Sequence, residues 1–476
     1  MRIWSERGEA AAGPEVWFPL AKGLGDGYFL PGDHLLISTE KPQTDKSMHI
    51  PLQLALDFVD LSRALTVAEL AVPAGVDWLE AGTPLIKSEG LNAVRELRRR
   101  FPQHTIIADM KIMDAGRIEV ECAAKAGADL VDVLGAASDA TIAECVQAGK
   151  NYGAKIVVDL ISVPDPVIRA QQAEALGADY ITVHVAIDEQ MVGRDPFELL
   201  RQVSQAVQIP VGVAGGIHSG TAWQAVAAGA RYVIVGGAIT KASDPAEATR
   251  EIRRALDEQI AIPTTLFQRV GPEQILRALR QVSAANLSDA LHRGGVLPGI
   301  RPLAPGLKVA GRALTVRTYP GDWAKPVQAI DQAEPGDVIV VDAGGVGPAI
   351  WGELATHSAL QRQVAGVVIH GALRDAWDIA QLRFPAFSTL VLPNAGEPKG
   401  FGEIGVPIRI GQMTVETGDY ILGDDDGVVV LPQKIAVEYA NRAMDVLERE
   451  NRIREEIKSG KTLGAVTELL RWEKKR

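Results

Sequence analysis

A chain of 476 residues exceeds what a single hydrophobic core supports, so two or three domains are expected. A formal charge of −11 without a long basic block, and no apolar run of membrane-spanning length, exclude nucleic acid and membrane as expected partners. Cys122 and Cys145 are too few for a disulfide framework or a cysteine metal site, and Met1–Arg7 has no signal-like apolar segment, so a cytoplasmic small-molecule enzyme is the default.

Residues 1–48 are rich in Gly and Pro and read as an irregular N-terminal extension. The run Lys22-Gly-Leu-Gly-Asp-Gly27 lacks the strand before and the helix after that a phosphate loop needs. From 49 to 259 eight apolar runs recur: Leu52–Phe58, Trp78–Gly82, Thr105–Asp109, Leu130–Leu134, Ile156–Ile161, Tyr180–His184, Val211–Ala214 and Tyr232–Gly236. Amphipathic segments such as Leu91–Arg100 separate them, so a closed (β/α)8 TIM barrel is predicted. A repeat supports the count: Ala-Gly75-Val-Asp-Trp, Ala-Gly127-Ala-Asp-Leu, Leu-Gly177-Ala-Asp-Tyr and Ala-Gly229-Ala-Arg-Tyr each precede an even-numbered strand. Glycine there suits a left-handed helix cap. The last barrel helix opens at Asp244-Pro245, and Ile260–Thr265 reads as a linker.

Residues 260–476 predict a second, mixed α/β domain, sandwich-like with two β layers and helices and ending in a helix. Its strand runs are Asp337–Asp342, Gly366–His370, Thr389–Leu392, Tyr420–Leu422 and Gly427–Leu431. Gly423-Asp-Asp-Asp-Gly427 suits a hairpin turn better than a calcium loop, because EF-hand ligand spacing is missing. The segment 433–461 reads as an amphipathic helix packing on a neighbour, in this chain or in another subunit.

In a barrel the catalytic groups sit at the C-terminal strand ends. Collected there are Asp57, Glu80, Thr83, Asp109, Lys111, Asp114, Asp159, His184 and the pairs Gly215-Gly216 and Gly236-Gly237. In an extended strand Asp109 and Lys111 share a face, and Asp114 can return from the next turn to orient Lys111. Such a cluster would also suit a surface ion-pair network; its coincidence with the other rim residues points to a site. Glu80 and Asp109 offer hard oxygens to Mg2+ or Mn2+, the paired glycines admit a phosphate, and Lys111 between carboxylates stays charged. His184 is the proton carrier.

Six motifs over Leu52–Leu256 carry a resemblance: Ala-Leu-Asp57, Glu80–Gly90, Ala-Asp109-Met-Lys111-Ile-Met-Asp114-Ala-Gly116, Val-Val-Asp159-Leu, His184–Gln190 and Val-Ala-Gly215-Gly216. The segment resembles the 3-hexulose-6-phosphate synthases of the orotidine 5'-phosphate decarboxylase superfamily. The resemblance implies Mg2+-dependent aldol addition of formaldehyde to ribulose 5-phosphate or its reversal, with the metal on Glu80 and Asp109. It also implies a dimer in which Asp114 enters the partner subunit's active site. The keto-gulonate phosphate decarboxylases share the metal site; Val185-Ala-Ile-Asp188 and Gly236-Gly237 are closer to the synthases. In the second domain, Gly344–Thr356 and Gly366–Asp378 resemble the family holding both 4-hydroxy-4-methyl-2-oxoglutarate aldolases and the ribonuclease E regulator. That resemblance implies a metal on Asp375 supported by Glu353, with Arg374, Gly352 and Leu354 gripping a 2-keto acid. A non-catalytic regulatory or oligomerising module is the alternative, and a homo-oligomer is expected in both cases.

Overall fold

Eight parallel strands close into a barrel, with β1 paired to both β2 and β8: β1 (Leu52–Leu56), β2 (Trp78–Ala81), β3 (Thr105–Ile112), β4 (Leu130–Leu134), β5 (Lys155–Asp159), β6 (Tyr180–His184), β7 (Val211–Ala214) and β8 (Tyr232–Val235). The computed structural model that shows this describes residues 49–264 and 267–467; the stretch 1–48 with its Lys22–Gly27 run lies outside them. The strands are the apolar runs of the sequence, and their outward side chains pack under the ring of helices in one continuous core.

The fifty-residue repeat has a structural purpose at the bottom of the barrel. Gly75, Gly127, Gly177 and Gly229 all have φ between +93 and +117°, as the left-handed cap requires. The Asp two residues on accepts a backbone hydrogen bond from the first turn of a neighbouring strand: Leu52 N–H to Asp77 at 2.8 Å, Ile106 N–H to Asp129 at 2.7 Å and Ile156 N–H to Asp179 at 2.8 Å. Cap and Asp together therefore fix where β1, β3 and β5 begin. Above this, the rings of Trp78, Tyr180 and Tyr232 meet inside the barrel with centroids 5.3–5.9 Å apart and plug its floor. The last barrel helix, Pro245–Glu258, is capped by Asp244, whose side chain accepts from Glu247 N–H.

The second domain contains β9 (Val296–Leu297), β10 (Arg301–Pro302), β11 (Val309–Arg317), β12 (Val338–Asp342), β13 (Gly366–Leu373), β14 (Ala386–Val391), β15 (Glu403–Ile404), β16 (Ile408–Ile410), β17 (Met413–Val415), β18 (Tyr420–Asp424) and β19 (Gly427–Leu431). One mixed sheet runs in the order β10-β14-β13-β12-β11-β18-β19-β9, with β11 to β14 parallel. β11, the longest strand, was not expected from the sequence, and β14 begins three residues before the Thr389 start that the apolar run suggested. Asp424 pairs with Gly427 across a two-residue turn, the Asp424 carboxylate accepts from Ala284 N–H and Asp426 N–H, and Asp425 accepts from Gly306 N–H, so this acidic run is a hairpin.

The final long helix, Ala436–Lys458, packs on the helices Ile275–Gln281 and Ala284–Ala290 and also reaches the barrel in the same chain. Buried Asn441 donates to Met191 O at 2.8 Å and Val270 O at 3.0 Å, and Arg442 pairs with Asp188 at 3.0 Å. Among the described residues no helix is long and apolar enough to cross a membrane.

Candidate active site

The alternation of a strand carries polar groups up the barrel interior. Two residues above the floor positions Trp78, Leu130 and Tyr180 come Glu80, Asp132 and Thr182, and at the rim stand Asp57 and His184. They open into one cavity of about 760 Å³, lined also by Thr83, Asp109, Lys111, Asp159, Gly215, Gly216, Gly236 and Gly237.

β3 departs from plain alternation. Its register against β4 shifts between Ala108 and Ile112, and Lys111 takes φ +47°. Asp109 and Lys111 are neighbours as expected, but through this bulge. Lys111 Nζ donates to Asp109 Oδ1 at 3.0 Å and to Asp159 Oδ2 at 3.2 Å. Burial works against its charge, but Asp109, Asp159 and Asp132 outweigh it and raise the amine above the ordinary lysine range. Asp114 does not orient Lys111 in this chain: it sits on the exposed turn after the strand, outside the cavity, and Asp159 takes that role.

Asp159 links three groups. It accepts from Lys111, from Ile161 N–H at 2.9 Å and from His184 Nδ1, also at 2.9 Å. Burial opposes its charge, yet the His184 bond, the His184 and Lys111 charges and the Ile161 amide hold its carboxyl below the usual range. Asp109 accepts from Thr83 Oγ1 at 2.6 Å and Thr83 N–H at 3.1 Å, so Thr83 positions this carboxylate.

The other carboxyls are pushed the opposite way. Burial first, then Asp109 and Asp57, raises Glu80 well above the carboxylate range, despite a 2.6 Å bond from Gln53. Asp132 is raised well by burial, then Asp109, Glu80 and Asp159, and its Oδ1 has no hydrogen-bond partner. Asp57 keeps solvent contact through the opening, and its carboxyl is raised by the packing around it and by Asp109.

A buried orphan oxygen among crowded carboxylates is what a hard cation would relieve, so the donor set fits one. Among the described residues no group of three or more His, Cys, Asp or Glu is arranged as a ready metal cage. Two carboxylates with water and substrate oxygens are a sufficient shell for Mg2+.

Sequence reasoning missed Asp132, Gln53, Lys241, Arg269 and Arg452, all but Gln53 lining the cavity. Asp132 had a signal, a lone carboxyl within Leu130-Val-Asp-Val-Leu134. Arg269 and Arg452 had none, because tertiary packing brings them there.

The second domain also gathers its expected residues. Asp375, at φ +57° just after β13, accepts from Glu353 N–H at 3.1 Å and lies 3.5 Å from Arg374 Nε. A Cβ on Gly352 would fall 2.6 Å from Asp375 Oδ2, so only glycine allows this approach. Glu353 pairs with His357 at 2.8 Å, and Leu354 and Trp377 stand 77% and 72% exposed beside them.

A family profile described as orotidine 5'-phosphate decarboxylase / HUMPS family matches residues 51–252, and an RraA-like profile, Aldolase/RraA, matches residues 284–430. The 3-hexulose-6-phosphate synthase of Mycobacterium gastri is 42% identical over 207 residues, 43% of this chain and 99% of its own length. That of Bacillus subtilis (strain 168) is 42% identical over 206 residues, 43% of this chain and 98% of its own. A crystal structure of 3-hexulose-6-phosphate synthase is 43% identical, with a TM-score of 0.42, and covers 44% of this chain and 100% of the solved one.

Proposed function

Through its barrel the chain belongs to the 3-hexulose-6-phosphate synthase family, and we propose that it is a lyase joining formaldehyde to ribulose 5-phosphate, or running the reverse cleavage. The observation that carries this reading is the continuous contact from Asp109 through Lys111 and Asp159 to His184, beside Glu80.

The proton to be removed lies on the carbon next to the sugar's ketone. His184 takes it at Nε2, because Nδ1 is committed to Asp159. Asp159 stays ionised and stabilises the imidazolium that results. Lys111 remains protonated and donates to the oxygen that gains charge, which argues against a Schiff-base route. Asp57, pushed toward its protonated form, is the proton source for the alkoxide that addition creates. Glu80 and Asp109 would hold Mg2+ or Mn2+, which when bound would supply Lewis-acid polarisation of the ketone. The turns Gly215-Gly216 and Gly236-Gly237 leave room for the phosphate.

The same reading makes the chain a cytoplasmic homo-oligomer, with exposed Asp114 available to a second copy, and gives the second domain a metal-dependent 2-keto acid aldolase or decarboxylase site at Arg374-Asp375. Purified protein mixed with formaldehyde, ribulose 5-phosphate and Mg2+ should consume formaldehyde and stop on adding EDTA. Absence of metal-dependent consumption would refute the barrel reaction.

A further inference from the structure

We infer that the phosphate end of the substrate is gripped partly by the second domain: Arg269 and Arg452, joined by Lys241, form a cationic wall over the β7 and β8 glycine turns. This rests on the sugar-phosphate reading of the barrel. Arg269 lies beyond the barrel's last helix and Arg452 on the long C-terminal helix, yet both line the barrel cavity together with Gly215, Gly216, Gly236 and Gly237.

The three cations are held by counter-charges that do not line the cavity. Asp445 on the C-terminal helix pairs with Lys241 and, at 3.3 Å, with Arg269 Nη2. Fully buried Glu448, one turn further on, pairs with Arg269 Nη1 at 3.1 Å and accepts from Phe267 N–H at 2.7 Å. Arg452 Nε lies 3.5 Å from Glu456 on the same helix. Asp445 and Glu448 thus hold Lys241 and Arg269 from outside the cavity lining, while all three cations line the cavity. Lys241 Nζ would stand 3.8 Å from a Cβ placed on Gly237, which puts the amine over the β8 turn. The charge of Arg269 is felt at the β7 loop as well: burial and then this cation hold His218 down at about 4.

A salt bridge made only to dock two domains has no need to present cations to a cavity. A phosphate dianion does need them, and a guanidinium fork matches its oxygens. Because Asn441 and Arg442 tie the same helix to the barrel, the wall is held in place before substrate arrives.

The test uses the full chain, with inorganic phosphate as a probe that does not depend on catalysis. Arg269→Gln with Glu448→Gln replaces a charged buried pair by a neutral one, and Arg452→Gln is an independent variant should the first fail to fold. Both should weaken phosphate binding, measured by calorimetry in EDTA, at least tenfold, and raise KM for ribulose 5-phosphate at least tenfold with a smaller change in kcat. Arg454→Gln removes the same charge from an exposed position on that helix, away from Asp445, Glu448 and Glu456, and should stay within twofold. Unchanged phosphate binding in both variants, no phosphate binding by the wild type, or an equal loss in Arg454→Gln overturns the inference. Loss of phosphate binding in the variants of a wild type that consumes no formaldehyde leaves the cationic wall standing and sinks the proposed reaction instead.

Discussion

Replacing Lys111 by Met removes a charge from the centre of the carboxylate cluster while keeping most of the side chain's volume. The Lys111 side chain is 25% exposed, and its partners Asp109 and Asp159 are 7% and 2% exposed. Breaking a buried pair on one side costs about 3–5 kcal/mol. Here each carboxylate keeps other donors, Thr83 for Asp109 and Ile161 and His184 for Asp159, and the cavity admits water. The expected loss is therefore about 2–3 kcal/mol, or a fall of roughly 4–12 °C in the barrel's Tm.

The pH window follows from the directions of the shifts. The raised Lys111 amine contributes fully below the unfolded lysine pKa and loses its effect only as pH rises beyond it. The lowered Asp159 carboxyl contributes above the unfolded Asp pKa and loses its effect as pH falls below it. Because Lys111 also holds down the raised carboxyls of Glu80, Asp132 and Asp57, the deficit should grow as pH rises from about 5 toward 9. Without the amine the cluster is more negative, so saturating Mg2+ should raise the variant's Tm more than the wild type's, while turnover falls by about 10³. Thermal unfolding in EDTA and in Mg2+ reads both effects. A variant within 1 °C of wild type in EDTA (roughly 0.3–0.5 kcal/mol) would refute the reasoning. So would an Mg2+ response no larger than that of the wild type.

Three further outcomes are expected. The raised carboxyl of Asp132 makes the folded state bind more protons than the unfolded one, so Asp132→Asn should gain Tm over wild type in EDTA, and the gain should grow from pH 5 to 8; a shrinking gain contradicts the assignment. His184→Gln should cut kcat by about 10²–10⁴ with little change in Tm, whereas a purely structural histidine would move Tm and spare kcat. In the second domain, Asp375→Ala should lower metal-dependent cleavage of a 2-keto acid at least about 10²-fold, and a wild-type chain without such cleavage assigns that domain a non-catalytic role.

The barrel was legible because its strands are short, mostly apolar runs and its glycines recur at a fixed spacing. β11 was not: its buried positions alternate with Ala310, Arg312 and Leu314, and small or charged residues break the apolar run that a reader looks for. Strand alternation placed Asp109 beside Lys111, but only coordinates reveal the bulge and the left-handed Lys111 that make the contact. Asp114 was drawn into the cluster by sequence proximity, while the carboxylate that does the bracketing, Asp159, comes from two strands away. Arg269 and Arg452 lie beyond the barrel in sequence, and a local pattern cannot announce a contact made by domain packing.

The aromatic floor bears on traffic. With Trp78, Tyr180 and Tyr232 packed across the bottom, and a Cβ on Gly212 falling 2.1 Å from the Tyr232 ring, the barrel is a blind shaft served from its rim. Whatever enters the cavity must use that doorway, and the C-terminal helix stands at its edge. A molecule seated at the rim would close the passage, so anything bound deeper would have to arrive before it and leave after it. Three rings at the far end of the shaft thus impose an order of entry at its mouth.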